Sequence, residues 1–115
     1  MNFKLENKDD VVIFKVLDET IKGKTAAELK AKILIVAQPD VRALIIDLTD
    51  VSMMDSSGLG ALLLAHRQYK GSEVPVILVG VQDFLQNLLS ITRIEELFTY
   101  FPTVEEALSE LEESN

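Results

Sequence analysis

The chain has 115 residues, 48% hydrophobic and 26% charged, the length and balance of one globular domain. Its formal net charge of -8 argues against a nucleic-acid partner and an anionic membrane surface, which both call for clustered Lys and Arg. With no cysteine and a single histidine, His66, the chain is excluded from disulfides, thiol catalysis and a multi-histidine metal site.

The opening MNFKLENKDD lacks a basic stretch followed by an apolar one, so it does not read as a signal peptide. No apolar run approaches the roughly 20 residues of a membrane helix. The expected compartment is the cytoplasm, and no cofactor or metal is expected. Phe3 to Glu6 alternates apolar and polar, Asn7 to Asp10 is turn material, and Val11 to Leu17 is a β-branched strand. The two strands are expected to form a hairpin across NKDD, although no Asn-Gly pair marks the turn. Thr25 to Ala37 reads as a helix with Ala26, Leu29, Ile33 and Val36 on one face. Thr25 with Glu28 three residues on matches a capping box, and Gln38-Pro39-Asp40 stops the helix.

Val41 to Leu48 is the continuous apolar run of a strand buried on both faces. A helix follows over Ser57 to Lys70 and ends at Gly71. Val74 to Val79 is a second such strand, followed by a helix from about Gln82 to Ser90. Leu97 to Phe101 reads as a short strand. The last helix, Val104 to about Leu111, has Val104, Ala107, Leu108 and Leu111 as its apolar stripe, and the acidic residues 112–115 are expected to fray. The order β-β-α-β-α-β-α-β-α predicts an α/β fold: a mixed, mostly parallel central sheet with four helices packed on it, in one domain over 1–115.

The chemistry gathers where the run ending at Leu48 passes through Thr49, Asp50, Val51, Ser52, Met53 and Met54 into Asp55-Ser56-Ser57-Gly58. Sites in open α/β sheets collect at this edge, beyond the carboxyl ends of strands. Asp55, Ser56 and Ser57 are all good N-cap residues, so taken alone the stretch is a helix cap with adjoining turn residues. A serine hydrolase needs a histidine base, and His66 lies about ten residues, roughly 15 Å, further along the same helix. The Gly-x-Ser-x-Gly elbow and the phosphate-binding Gly-x-x-x-x-Gly-Lys-Ser/Thr run are both absent. Asp47, Asp50 and Asp55 could serve a paired-carboxylate hydrolase, but strand-end aspartates are common caps. Leu59, Leu62, Leu63 and His66 fall on one face of the helix, the core face. Ala61, Leu64 and Ala65 fall on the other, which is either covered by a neighbouring helix or an exposed apolar patch beside the serines. Met53 and Met54 read as gap-filling core.

The stretch ALIIDLTDVSMMDSSGLGALL resembles the core motif of the STAS domain, in particular the small bacterial anti-sigma factor antagonists, and the element order matches over the whole chain. The resemblance implies a phospho-regulated switch, not an enzyme. In that family an anti-sigma factor with serine kinase activity phosphorylates the serine directly after the aspartate, which is Ser56 here; Ser57 is the second choice. The unphosphorylated antagonist binds the anti-sigma factor, phosphorylation blocks binding, and a serine phosphatase acting on Ser56 reverses it. Family members carry Gly-x-Leu-Asp before the first helix, where this chain has Glu19-Thr20-Ile21-Lys22. A lysine in place of that aspartate reverses the charge, and Lys22 is expected to pair with phospho-Ser56 or with Asp55.

The expected docking surface is Asp55, Ser56, Ser57, Gly58, Leu59, Gly60, Ala61 and Leu64, with Lys22 and Lys24 beside them. A monomer or weak homodimer is expected. The alternative keeps the fold without the phosphoswitch, as a scaffold or a sensor of a small ligand or nucleotide.

Overall fold

In the computed structural model, which describes residues 1–113, the chain begins with a hairpin of β1 (Phe3–Lys8) and β2 (Val11–Val16). Lys8 faces Val11, so the turn is only Asp9 and Asp10, at φ of 51° and 67°. Aspartate tolerates this left-handed backbone better than most residues, and two successive positive φ values match the twist of the strands. The expected hairpin therefore forms without an Asn-Gly pair.

Next come β3 (Thr20–Ile21), α1 (Gly23–Val36), β4 (Ala43–Asp47), β5 (Met53–Met54), α2 (Ser56–Tyr69), β6 (Val76–Val79), α3 (Asp83–Ile91), a 3-10 turn (Glu95–Leu97), β7 (Thr99–Phe101) and α4 (Val104–Glu113). The main sheet has the order β1-β2-β4-β6-β7, with β1 antiparallel and every other neighbouring pair parallel. Each step from β2 to β4 to β6 to β7 moves to the adjacent strand in one direction. Right-handed crossovers then place all connecting helices on the same face. Accordingly Ala26, Leu29 and Ile33 of α1, Leu62 and Ala65 of α2, and Leu85 and Leu89 of α3 share one core with Phe14, Leu44, Ile46 and Leu78. The opposite face carries Val11, Ile13, Ala43, Ile45, Ile77 and Val79 under Ala107 of α4, with Val104, Leu108 and Leu111 beside it. Burial on both faces explains why the parallel strands read as unbroken apolar runs.

The expected Thr25 capping box does not form. Helix α1 begins two residues earlier, at Gly23, with Lys22 in the cap position and no side-chain cap bond. Glu28 Oε2 instead accepts a 2.6 Å hydrogen bond from the N-terminal ammonium of Met1. The last helix runs through Glu113, past the expected fraying point; residues 114–115 of that expectation lie outside the described residues.

The pair β3–β5 has no counterpart among the expected elements. Thr20 lies opposite Met53 and Ile21 opposite Met54, in parallel. Two residues per strand are too few to show a periodic signal. The pair ties the segment entering α1 to the segment entering α2, and so builds the site.

Candidate functional site

After β4 the chain turns at Asp47, whose Oδ1 accepts from the Thr49 amide at 3.0 Å and the Thr49 hydroxyl at 2.6 Å. Leu48 and Val51 anchor the loop in the core. The Ser52 and Met53 amides then donate to the Glu19 carbonyl at 2.8 and 3.1 Å, and the Asp55 amide donates to the Ile21 carbonyl at 3.2 Å. These bonds hold Asp55 extended (φ -98°, ψ -173°) at the N-cap of α2.

Asp55 is the cap among the three candidates. Its Oδ1 accepts from the Ser57 amide (3.0 Å), the Ser57 hydroxyl (2.5 Å) and the Gly58 amide (3.1 Å). The Ser57 hydroxyl, above all, and the Gly58 amide hold the Asp55 carboxyl below the usual carboxylate range. Ser57 Oγ also accepts from the Gly23 amide at 3.3 Å, which closes the junction between the helix starts. Gly23 sits at φ 51°, a conformation that suits glycine. The Ser57 hydroxyl is therefore occupied from two sides. Ser56, the first residue of α2, is exposed, and its hydroxyl has no hydrogen-bond partner among the described residues.

The carboxylates considered as a hydrolytic pair have separate duties: Asp47 in its turn, Asp55 in the cap, and Asp50 4.0 Å from Lys15 Nζ. His66 packs its ring edge-on against Phe98, with centroids 6.3 Å apart. It is remote from Ser56 along the helix and makes no activating contact with either serine among the described residues. No cluster of three metal-ligating side chains occurs among the described residues, and no helix among them is long and apolar enough to cross a membrane.

Residues 2–107 match the STAS domain family. This chain belongs to the STAS family. The STAS chain is 34% identical over 101 residues to the anti-sigma-B factor antagonist of Listeria monocytogenes, covering 84% of this chain and 87% of that protein. Its fold superposes on an anti-sigma factor antagonist from Mycobacterium paratuberculosis with a TM-score of 0.80 at 26% identity, covering 96% of this chain and 93% of the other. It shares the fold of the phosphorylated form of the Bacillus cell fate determinant SpoIIAA, with a TM-score of 0.75, 22% identity, and 96% and 99% of the two chains covered.

Within the STAS domain, three residues expected on the docking surface are buried. Gly58 lies under Met54, and Leu59 and Ala61 belong to the main core together with Ala65. Helix α1 packs along α2 and covers this flank, so the apolar face beside the serines is mostly interior. Leu64 is half-buried against the same core. The surface at the start of α2 comprises Asp55 and Ser56, with half-buried Ser57, Gly60 and Leu63; Lys22 and Lys24 are exposed alongside. Leu63, read as core, is only half-buried. It continues the stripe of Ser56 and Gly60 at helical spacing. Met53, also read as core, is 55% exposed two residues before the cap, because β5 alternates and only Met54 faces inward. That alternation was the missed signal, concealed by the shortness of the strand. Lys22 makes no ion pair with Asp55 among the described residues, and the three cap bonds all fall on Asp55 Oδ1.

A cleft of 540 Å³ lies elsewhere, beyond the carboxyl ends of β4 and β6, lined by Thr49, Gly80, Gln82, Gln86, Tyr100 and Phe101 among others. It contains none of the expected site residues.

Proposed function

We propose that this chain is a single-domain anti-sigma factor antagonist of the cytoplasm: a binding module, not an enzyme, switched by phosphorylation of Ser56. The observation that carries the reading is the unequal state of the two serines. Ser57 Oγ is held by Asp55 and Gly23, whereas Ser56 Oγ is exposed and unbonded at the first position of the helix. A kinase can reach Ser56 without dismantling the cap.

A phosphoryl group there adds about -1.5 to -2 charge. The positive end of the α2 dipole favours it, and the Asp55 cap keeps its bonds to the Ser57 and Gly58 amides, so the fold is retained. A docking partner meets a dianion between Met53 and the Gly60–Leu63 stripe, where it previously met a small hydroxyl. Binding is blocked electrostatically, with no conformational change. The partners are an anti-sigma factor with serine kinase activity, which brings its own metal and base, and a serine phosphatase that resets Ser56. Lys22, exposed beside the junction, pairs with the phosphate and moderates the block.

Incubation with the cognate kinase and ATP, followed by peptide mass spectrometry, should place phosphate on Ser56 and not on Ser57. In calorimetry against the anti-sigma factor, Ser56→Ala should bind like the parent. Ser56→Asp should lose at least about tenfold in affinity, as expected for an unpaired charge forced into a dry contact. Full binding by Ser56→Asp would overturn the switch.

A second reading, a small-ligand or nucleotide sensor, is favoured by the 540 Å³ cleft with its Gln82, Gln86 and Thr49 polar groups. Thermal stabilisation by a nucleotide, lost in Gln86→Ala and accompanied by no protein binding, would support it.

A further inference from the structure

Strand β1 is the outer strand of the sheet and pairs only with β2 among the described residues. Its register is unbroken from Phe3 opposite Val16 to Lys8 opposite Val11, so no bulge disrupts the outer edge, and it contains no proline. The Leu17 amide donates to the Asn2 carbonyl at 2.8 Å. That bond sets the alternation of the antiparallel ladder. Even-numbered residues of β1 turn their N–H and C=O toward β2, and Phe3, Leu5 and Asn7 turn theirs outward.

The side chains alternate between faces as well. Phe3 stacks on Phe14 on the side of α1, with centroids 5.1 Å apart, and Leu5 follows on that face, 51% exposed. Lys32 Nζ lies 5.2 Å above the Phe3 ring, so Ile35, one turn further along α1 and 65% exposed, is on the flank beside β1. Lys4 and Glu6 share the opposite face, by a shallow hollow that also includes Lys15 and Glu105.

We propose that two copies of this chain join through antiparallel pairing of their β1 edges, on a two-fold axis through Leu5, to form one continuous sheet. In this register Leu5 meets Leu5 of the second copy, and Phe3 meets Asn7 of the second copy. All three outward-facing residues exchange backbone hydrogen bonds. Lys4 then stands opposite Glu6 of the second copy, twice by symmetry, at the closer spacing of non-hydrogen-bonded pairs. The ladder admits shifts only in steps of two residues. One such shift puts Lys4 against Lys4; the other puts Glu6 against Glu6 and Lys4 against Lys8. Charge complementarity therefore disfavours both neighbouring registers. An axis through Asn7 also opposes Glu6 and Lys8, but it leaves Phe3 unpaired and sets Leu5 against Asp9 of the turn. The Leu5 register is thus the longest with matched charges, and isologous symmetry closes the assembly at two copies.

Sedimentation or light scattering over a concentration series tests this without a partner. The parent should dimerise with increasing concentration. Lys4→Glu and Glu6→Lys each replace both attractive pairs with like charges, and each should weaken association by roughly tenfold, from the cross-strand pair energies. The double variant Lys4→Glu/Glu6→Lys should recover parental association, and an equimolar mixture of the two single variants should form a heterodimer. Unchanged thermal unfolding of these exposed-site variants excludes misfolding as the cause. A parent that stays monomeric at millimolar concentration, a dimer indifferent to the single swaps, or a double variant that remains weakened would each overturn the proposal.

Discussion

Two glycines two residues apart in α2 should respond to alanine with opposite signs. In a helix, alanine is favoured over glycine by about 0.5–1 kcal/mol, because glycine has more backbone freedom to lose. At Gly60 that gain should be expressed. A Cβ there would meet Lys30 Nζ at 3.2 Å and Cε at 3.4 Å, the far end of a flexible chain that can swing aside. At Gly58 the added carbon would overlap Met54 Cγ and come within 3.0 Å of the Ile21 carbonyl oxygen. Met54 is buried, and the Ile21 carbonyl already accepts the Asp55 amide, so neither can yield cheaply. Overpacking of this kind costs about 1–3 kcal/mol. Subtracting the propensity gain, at the middle of these ranges, leaves Gly58→Ala destabilised by roughly 1 kcal/mol, while Gly60→Ala keeps the gain of roughly 0.5–1 kcal/mol. Equilibrium urea unfolding followed by far-ultraviolet circular dichroism reads both. Parental stability in Gly58→Ala would refute the idea that the β3–β5 junction is packed against this helix. A loss in Gly60→Ala would refute the free swing of Lys30.

Other outcomes follow from the cap and the tyrosines. Ser57→Ala removes the hydroxyl that bridges Asp55 and Gly23 and should cost about 1 kcal/mol, whereas Ser56→Ala should stay within about 0.5 kcal/mol of the parent in the same assay. Because the Asp55 carboxyl is held below the usual range, it contributes stability above its unfolded pKa, and that contribution is lost as pH falls through the folded value. Asp55→Asn should therefore flatten the part of the stability–pH curve below the ordinary aspartate range of about 4. Burial, with the nearby Glu95 charge, pushes the Tyr100 phenol up to about 12, and burial also raises Tyr69. Ultraviolet titration of the folded chain should show no tyrosine ionising at its ordinary value of about 10, and Tyr100→Phe should remove the later step. The stability that Tyr100 contributes is present below pH 10 and should disappear as pH climbs toward 12.

The sheet and helices could be read from the chain because their signals are local and repeated. Val11 to Leu17, Val41 to Leu48 and Val74 to Val79 are apolar on both faces, and the helices between them carry apolar stripes. The site was legible in outline, as an aspartate and two serines at a strand-to-helix junction. Its working details depend on residues distant in sequence. Asp55, Ser56 and Ser57 are nearly equal as caps, and the Gly23 amide at Ser57 Oγ draws the second serine into the structure. Ala61 reads as exposed or covered until the position of α1 is known. The Glu28 carboxylate could have closed a capping box with Thr25, but the Met1 ammonium competes for it. Met53 and Met54 look alike until β3 pairs with β5 and turns them to opposite sides.

That two-residue ladder also equips the chain with its own reporters. The amides of Ser52, Met53 and Asp55 donate across the junction to Glu19 and Ile21, and the Gly23 amide donates back to Ser57. Their protons can exchange with solvent only when the two segments part. Deuterium uptake at these four backbone positions, in unlabelled protein, therefore reads directly whether a modification or a bound molecule loosens the seat of α2 or leaves it shut.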